Sequence, residues 1–259
     1  MGTITLLTDF GRDDVYVGVM KGVIDAINPN ATIIDLCHEV PRYDVREAGY
    51  MLAESFGYFA EGSIHVAVVD PGVGSGRRAI AARAAGHCFV LPDNGLVSFV
   101  AARHWLDEIV LLENEAYFRK PVSRTFHGRD IFAPAAAHIS LGVPLREFGP
   151  AVSDPVISPI PTPRAEDGKL VGEVIHVDHF GNLVTNIAEW DVPGRGDVRV
   201  RIAGAGIIGL KQTYAEARPG ELIVIIGSFG TLEISVVSGS AADALAVGVG
   251  TVVEALGPK

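Results

Sequence analysis

The chain has 259 residues, a formal net charge of −10 and only two cysteines. That length suits two domains, and 48% hydrophobic against 20% charged residues supplies enough apolar side chain to offset the entropy of ordering the backbone, which excludes a disordered chain. The acidic balance, with no basic cluster beyond Arg77-Arg78, repels phosphate backbones and argues against nucleic acid as a partner.

Cys37 and Cys88 stand in no CxxC or Cys/His pattern with metal-ligand spacing, which fits a reducing compartment. Acidic residues begin at Asp9, too early for a signal-peptide apolar region, and no apolar run approaches the roughly 20 residues that span a bilayer. The expectation is a soluble, cytoplasmic protein with no membrane partner.

Along the first part of the chain, short β-branched runs alternate with stretches of helical period. Ile4 to Thr8 reads as a strand, and Val15 to Ile27 places Val15, Val19, Val23 and Ile27 on one helical stripe. Ala31 to Leu36 is again strand-like, Val45 to Phe59 is helical, and the strand Ile64 to Val69 ends at Asp70-Pro71-Gly72. This order predicts a largely parallel sheet between helices over residues 1–150, with functional residues at the carboxyl ends of strands. Five prolines fall between Gly149 and Pro163 with almost no charge, which predicts an extended linker over 151–165. Beyond it, Leu170 to Asp178, Val198 to Ile202, Leu222 to Ile226, Leu232 to Val237 and Gly250 to Ala255 predict a smaller, mainly antiparallel β domain over 166–259.

Several polar constellations punctuate these elements. Asp9, in Thr8-Asp9-Phe10-Gly11, ends a strand and could accept hydrogen bonds from a ribose diol; Asp9 or Asp13 could equally cap the next helix. The clustered aspartates also resemble the calcium-binding opening of nucleoside hydrolases, although that pattern wants an acidic residue where Leu7 stands. Asp70 is followed by a glycine-rich turn in which Arg77 takes the place of the third glycine of a GxGxxG fingerprint, so neither a dinucleotide nor a P-loop motif survives. What remains is a carboxylate, a flexible turn and an arginine able to fold back on it, a pairing that is more often structural than catalytic. His127 precedes Gly128 and an apolar run of helical character; joined to Asp70 and Arg77 it would form a water-activating trio. In the second domain, His176-Val177-Asp178-His179 could suggest a metal, but along a strand His176 and Asp178 face away from His179. Asn182 could read an adenine edge and Phe180 could stack on the ring, or the segment is an ordinary Asn-containing turn.

Taken together, TDFGRDDVYVGVMKGVI, HEVPRYDV, VVDPGVGSGRR, LPDNG, TFHGRDIFAPAAAH, VDHFGNLVTNI and GSFGTLEI resemble the S-adenosylmethionine hydroxide adenosyltransferases, hydrolytic relatives of bacterial fluorinase and chlorinase. The segments run in family order across essentially the whole chain. The resemblance implies hydrolysis of S-adenosylmethionine to adenosine and methionine with no cofactor, by a homotrimer whose substrate lies between the N-terminal domain of one subunit and the C-terminal domain of the next. It implies Asp70, Arg77 and His127 at the water nucleophile, Asp9 on the ribose hydroxyls and Tyr43 as an aromatic wall by the sugar. Asp178 and Ser228 would hold the methionine amino and carboxylate groups. Asn182 and the backbone near Glu233 to Val237 would meet the adenine, with Asn94, Phe126, Phe180 and Phe229 completing the binding set. A halide-using adenosyl transferase and a non-catalytic binding protein are the alternatives; a carboxylate beside a halide pocket favours water.

Overall fold

A computed structural model describes residues 2–194 and 197–257. The chain divides into two units, Met1–Ile160 and Pro161–Lys259.

The first unit is built on a six-stranded sheet of β1 (Thr3–Thr8), β2 (Thr32–Cys37), β3 (Ile64–Val68), β4 (Ala79–Ala84), β5 (His87–Pro92) and β6 (Leu106–Leu111), in the order β2-β1-β3-β5-β4-β6. Strands β2, β1, β3 and β5 run parallel, and β4 pairs antiparallel with β5 and β6. Both faces of β3 and β5 are buried, which explains their unbroken apolar runs. Helices α1 (Tyr16–Ile27), α2 (Val45–Ser55), α3 (Ser98–Arg103) and α4 (Ala133–Ser140) cover the sheet. The period-two alternation divides its side chains: Ile4, Leu6, Val66 and Val90 join Met20, Ile24 and the alanines of α4 in one core. His65 and Phe89 instead meet Phe56, at the end of α2.

One expectation changes on this frame, and two further features join it. The fully buried residues of α1 are Met20 and Ile24; of the predicted stripe, Val23 and Ile27 pack against the core, whereas Val15 is 73% and Val19 37% exposed. The β4–β5 hairpin went unread because its two-residue turn, Ala85-Gly86, carries a weak signal; both residues take positive φ (48° and 79°), as a primed turn demands. The proline-rich stretch has no helix or strand over 152–163 and is fastened at three points. Val156 N–H donates to Asp93 Oδ1 at 2.7 Å, Ser158 N–H to Ser98 Oγ at 2.8 Å, and Arg78 Nη1 to Asp154 Oδ1 at 2.8 Å. Its last residues, Arg164 and Ala165, already belong to a strand.

In the second unit, β7 (Arg164–Glu166), β8 (Lys169–Val177), β9 (Leu183–Ala188), β10 (Arg199–Ile202), β11 (Ala205–Ile208), β12 (Leu222–Ile226), β13 (Thr231–Val236) and β14 (Val252–Leu256) form an antiparallel sheet in the order β11-β10-β14-β8-β9-β13-β12, with β7 beside β8. The sheet curls around a core of Val174, Ile187, Val200, Val224, Ile234 and Val253 until its end strands β11 and β12 approach each other. A register shift between Thr231 and Glu233, opposite β9, re-aims the side chains that follow. Among the described residues, no helix is long and apolar enough to cross a membrane.

Candidate functional site

Each unit carries a cavity that gathers residues singled out from the sequence. The N-terminal cavity, about 280 Å³, is lined by Asp9 and Phe10 beyond β1, Arg42 and Tyr43 before α2, Asp70 and Val73 beyond β3, and the run Thr125 to Gly128. Carboxyl ends of parallel strands supply the acidic groups, as an open α/β sheet directs.

Asp70 and Arg77 form the innermost pair, with side chains only 5% and 8% exposed. The guanidinium grips the carboxylate along one edge: Nε donates to Oδ1 at 3.0 Å and Nη2 to Oδ2. Nη2 also reaches His127 Nδ1 at 3.1 Å. A guanidinium only donates, so Nδ1 is the acceptor and this His127 is neutral with its proton on Nε2. Burial and the neighbouring Arg77 charge hold its pKa below the usual histidine value, against the opposing pull of Asp70 and Asp130. Phe132 lies 5.4 Å from the guanidinium carbon and closes the other side of Arg77. Arg77 does not line the cavity; it acts by holding Asp70 and His127, which do.

The glycine turn makes this meeting possible. Gly74 takes φ 76° with its α-carbon against the Arg124 carbonyl, so a β-carbon there would collide with backbone. Asp130, fully buried, fastens the same segment: it accepts from Ser123 N–H at 2.8 Å and from Arg129 Nε and Nη2 at 2.7 Å. Burial pushes its pKa up, but the bonds from Arg129 and Ser123 outweigh that and hold it low. Sequence reasoning missed Asp130 as the residue that locks the histidine loop, and also missed Phe10, Arg42, Val73 and Thr125. The ring centroids of Phe10, Tyr16 and Phe126 lie within 5.8 Å of one another, Phe126 meeting both others edge to face, so Phe126 enters the wall as part of an aromatic cluster.

Asp9 is not a helix cap. The N-cap of α1 is Val15, without a side-chain bond, and Asp9 Oδ2 accepts Tyr43 N–H at 2.9 Å. That bond helps hold Tyr43 at φ 67°, an unusual conformation for an aromatic residue, and leaves its ring 70% exposed at the cavity mouth. Asn94 lines neither cavity described here. Its amide donates to the Val69 carbonyl at 2.9 Å and accepts from Leu96 N–H at 3.3 Å, bracing the backbone one residue before Asp70.

The C-terminal cavity, about 640 Å³, is lined among others by Asp178, Phe180, Asn182, Ser228, Phe229, Glu233 and Val237, with Tyr214 added. Strand β8 ends at Val177, so Asp178 opens a turn instead of continuing the strand. Asp178 Oδ1 accepts from Phe180 N–H at 2.9 Å and Asn182 N–H at 2.8 Å, and Oδ2 from Asn182 Nδ2 at 2.9 Å. The turn throws the Phe180 ring outward, 74% exposed. Tyr214, from a short 3₁₀ turn, donates to Glu233 Oε1 at 2.7 Å. Burial and that carboxylate push the phenol up to about 12. No local motif marked Tyr214, because it meets Glu233 only through the β12–β13 hairpin.

Comparison with known proteins follows the same division. The family model for the SAM hydroxide adenosyltransferase N-terminal domain matches residues 4–149, and that for the C-terminal domain matches residues 172–254. The chain belongs to the SAM hydroxide adenosyltransferase family. It is 40% identical to the (R)-S-adenosyl-L-methionine hydrolase of Salinispora arenicola over 94% of both chains. A fluorinase from an Actinoplanes species is more distant, at 28% over 90% of each. A conserved protein from Thermotoga maritima has the same fold, with a TM-score of 0.92 and 39% identity over 98% of this chain and 99% of its own.

Proposed function

We infer that this family member is an enzyme hydrolysing S-adenosyl-L-methionine to adenosine and L-methionine through attack of water on the ribose C5′. The observation that carries this reading is the Asp70–Arg77–His127 cluster opening on the cavity that also holds Asp9. The leaving group is a neutral thioether expelled from a sulfonium, so no acid is required; the task is to place water in line with the C5′–S bond and remove its proton. His127, neutral with Nε2–H free to donate, holds the water oxygen. Asp70 accepts the water proton on a lone pair that Arg77 leaves open. The O–C5′ bond forms as the C5′–S bond breaks, and sulfur keeps the electron pair. Asp9 takes the ribose hydroxyls, and the aromatic and turn residues of the C-terminal cavity take the adenine and the amino-acid end. No cofactor enters.

A halide ion beside the Asp70 carboxylate would meet a charge of its own sign, a repulsion that the bound Arg77 guanidinium lessens, and this favours water as nucleophile. Identity supports the same branch, since hydrolases stand at 36–41% and fluorinases at 24–28%. The hydrolases' names specify the (R) sulfonium, and we take that epimer as the substrate. A homotrimer in which neighbouring subunits contribute complementary cavities is part of the proposal. Separate incubation with each sulfonium epimer, followed by chromatography, tests it: adenosine and methionine in equal amounts from the (R) epimer are expected. Halogenated adenosine in the presence of chloride or fluoride would replace the hydrolase with a transferase. Unchanged ligand would leave only a binding protein.

A further inference from the structure

Asp70 stands two residues beyond β3, where the neighbouring strand has already left. The β3–β5 ladder runs from Ile64↔Cys88 to Val66↔Val90 and stops, so β5 offers no partner to the carbonyl of Val69, a fully buried residue. A buried backbone carbonyl needs a donor. Among the described residues that donor is Asn94: Nδ2 gives its proton to Val69 O at 2.9 Å, while Oδ1 accepts Leu96 N–H at 3.3 Å. The side chain takes the place of a strand immediately before the Asp70 carboxylate. On its other side Asp70 leads into a turn holding Gly72, Gly74 and Gly76, whose backbone restrains it little. The restraint on its direction therefore comes from the residue before it.

The same turn holds the other partner of the ion pair. Asp93 N–H donates at 2.9 Å to the Arg78 carbonyl, which also accepts Arg77 Nη1 at 3.1 Å. The Asp93 carboxylate, on a residue 5% exposed, accepts Arg78 Nε at 2.7 Å and Val156 N–H at 2.7 Å. Gly95 takes φ 96° where an added β-carbon would stand 2.2 Å from Ser158 Oγ, so the turn closes tightly against the proline-rich stretch. Residues 93–95 are thus anchored from several directions, and they reach Asp70 through Val69 and Arg77 through Arg78. Arg77 fixes the plane of the carboxylate; Asn94 fixes the backbone from which it springs. Asn94 lines neither cavity, so contact with a ligand is not what it supplies.

We propose that Asn94 is a positioning residue for the water-activating step: its amide, by holding the Val69 carbonyl, sets the direction of the Asp70 carboxylate and so governs turnover without governing affinity. The task given to Asp70 rests on the hydrolase reading; the position given to it does not. Asn94→Ala removes both bonds of the amide. Its single-turnover rate with S-adenosylmethionine should fall about 10- to 100-fold, the range for misplacing a reacting group, while the equilibrium Kd for adenosine, which is not turned over, stays within about threefold of wild type. Placed on Asp70→Asn, the same substitution should lower the residual rate by less than about threefold, because the carboxylate it serves is already gone. Additive losses would show that Asn94 acts through general packing and would overturn the proposal, as would a rate loss matched by an equal loss of adenosine affinity. Asn94→Asp provides a second variant if Asn94→Ala melts early: it keeps the outline and the Leu96 bond but, as a carboxylate, has no N–H for Val69. Turnover within about threefold of wild type in folded Asn94→Asp would overturn the assignment. Crystal structures of wild type and variant give a readout apart from turnover. The Asp70 carboxylate should shift by at least about 0.5 Å against Arg77 and His127, the tolerance of a working site, and an unmoved carboxylate would overturn the proposal. Should wild type turn over nothing, the hydrolase reading fails. The displacement of Asp70 still decides the part given to Asn94.

Discussion

Replacing Asp70 by Asn keeps the shape of the side chain while removing the charge proposed to take the water proton. Two effects follow, and the geometry separates them. Arg77 is 8% exposed at its side chain and held by both carboxylate oxygens. The variant keeps one acceptor for that guanidinium and loses the charge, a stability cost of about 2 kcal/mol for weakening a hydrogen bond to a charged group. Asp70→Ala leaves the cation with no partner there and should cost about 3–5 kcal/mol. For the chemical step, loss of a positioned base lowers turnover about 10²-fold or more. Substrate binding should change much less, because the proposed reading gives the ligand contacts to Asp9 and the C-terminal cavity. Single-turnover rates, equilibrium binding and denaturant unfolding of both variants supply the three quantities. Where denaturant unfolding shows Asp70→Asn folded under the assay conditions, its rate loss is not an effect of unfolding. Turnover within about threefold of wild type in that variant would refute the role given to the carboxylate, and water activation would then pass to His127 or to the substrate's own charge.

His65, bonded to Thr5 Oγ1 at 2.8 Å and His87 at 3.2 Å, is lowered by burial to about 3 from 6.5. The unfolded chain binds a proton that the native state refuses, so its contribution is full above pH 6.5 and is lost as pH falls from there toward 3. Unfolding free energy against pH should be shallower in His65→Leu than in wild type by up to about 1.4 kcal/mol per pH unit within that window; parallel slopes would count against a neutral buried His65. His127 must stay neutral to accept from Arg77, and its depressed pKa places the acid limb of kcat/KM below the ordinary histidine value, a limb that His127→Gln should abolish along with most of the rate. Mixing Asp70→Asn with Asp178→Asn subunits, once exchange is shown by mass spectrometry, should regenerate activity if neighbouring chains share a site; proven mixed oligomers without activity would rule out the sharing.

What the sequence disclosed about the fold followed from periodicity and punctuation. Strands β1, β3 and β12 were legible because their β-branched runs are bounded by Asp, Gly and Pro. Helix α1 was legible in extent but not in face, since valines occupy both its exposed and its packed sides and a stripe cannot be chosen when both are apolar. The β4–β5 hairpin was hidden because Ala85 adopts positive φ, a conformation that tertiary context imposes and that alanine does not announce.

The site divides along the same line. Asp9, Asp70 and His127 could be suspected singly, since strand ends and glycine turns mark where an α/β sheet presents chemistry. Their convergence could not be read, because it depends on Gly74 admitting the Arg124 carbonyl and on Asp130 tying down Ser123, contacts made through backbone and through an aspartate that looks like any other. The trio also changes meaning once its geometry is known. From sequence, Arg77 and His127 stood as equal partners of Asp70 at the water. The contacts rank them: Arg77 sits behind the wall and donates to both neighbours, which fixes the histidine tautomer and makes His127 a donor, so that Asp70 alone among the three retains an acceptor for the proton of water.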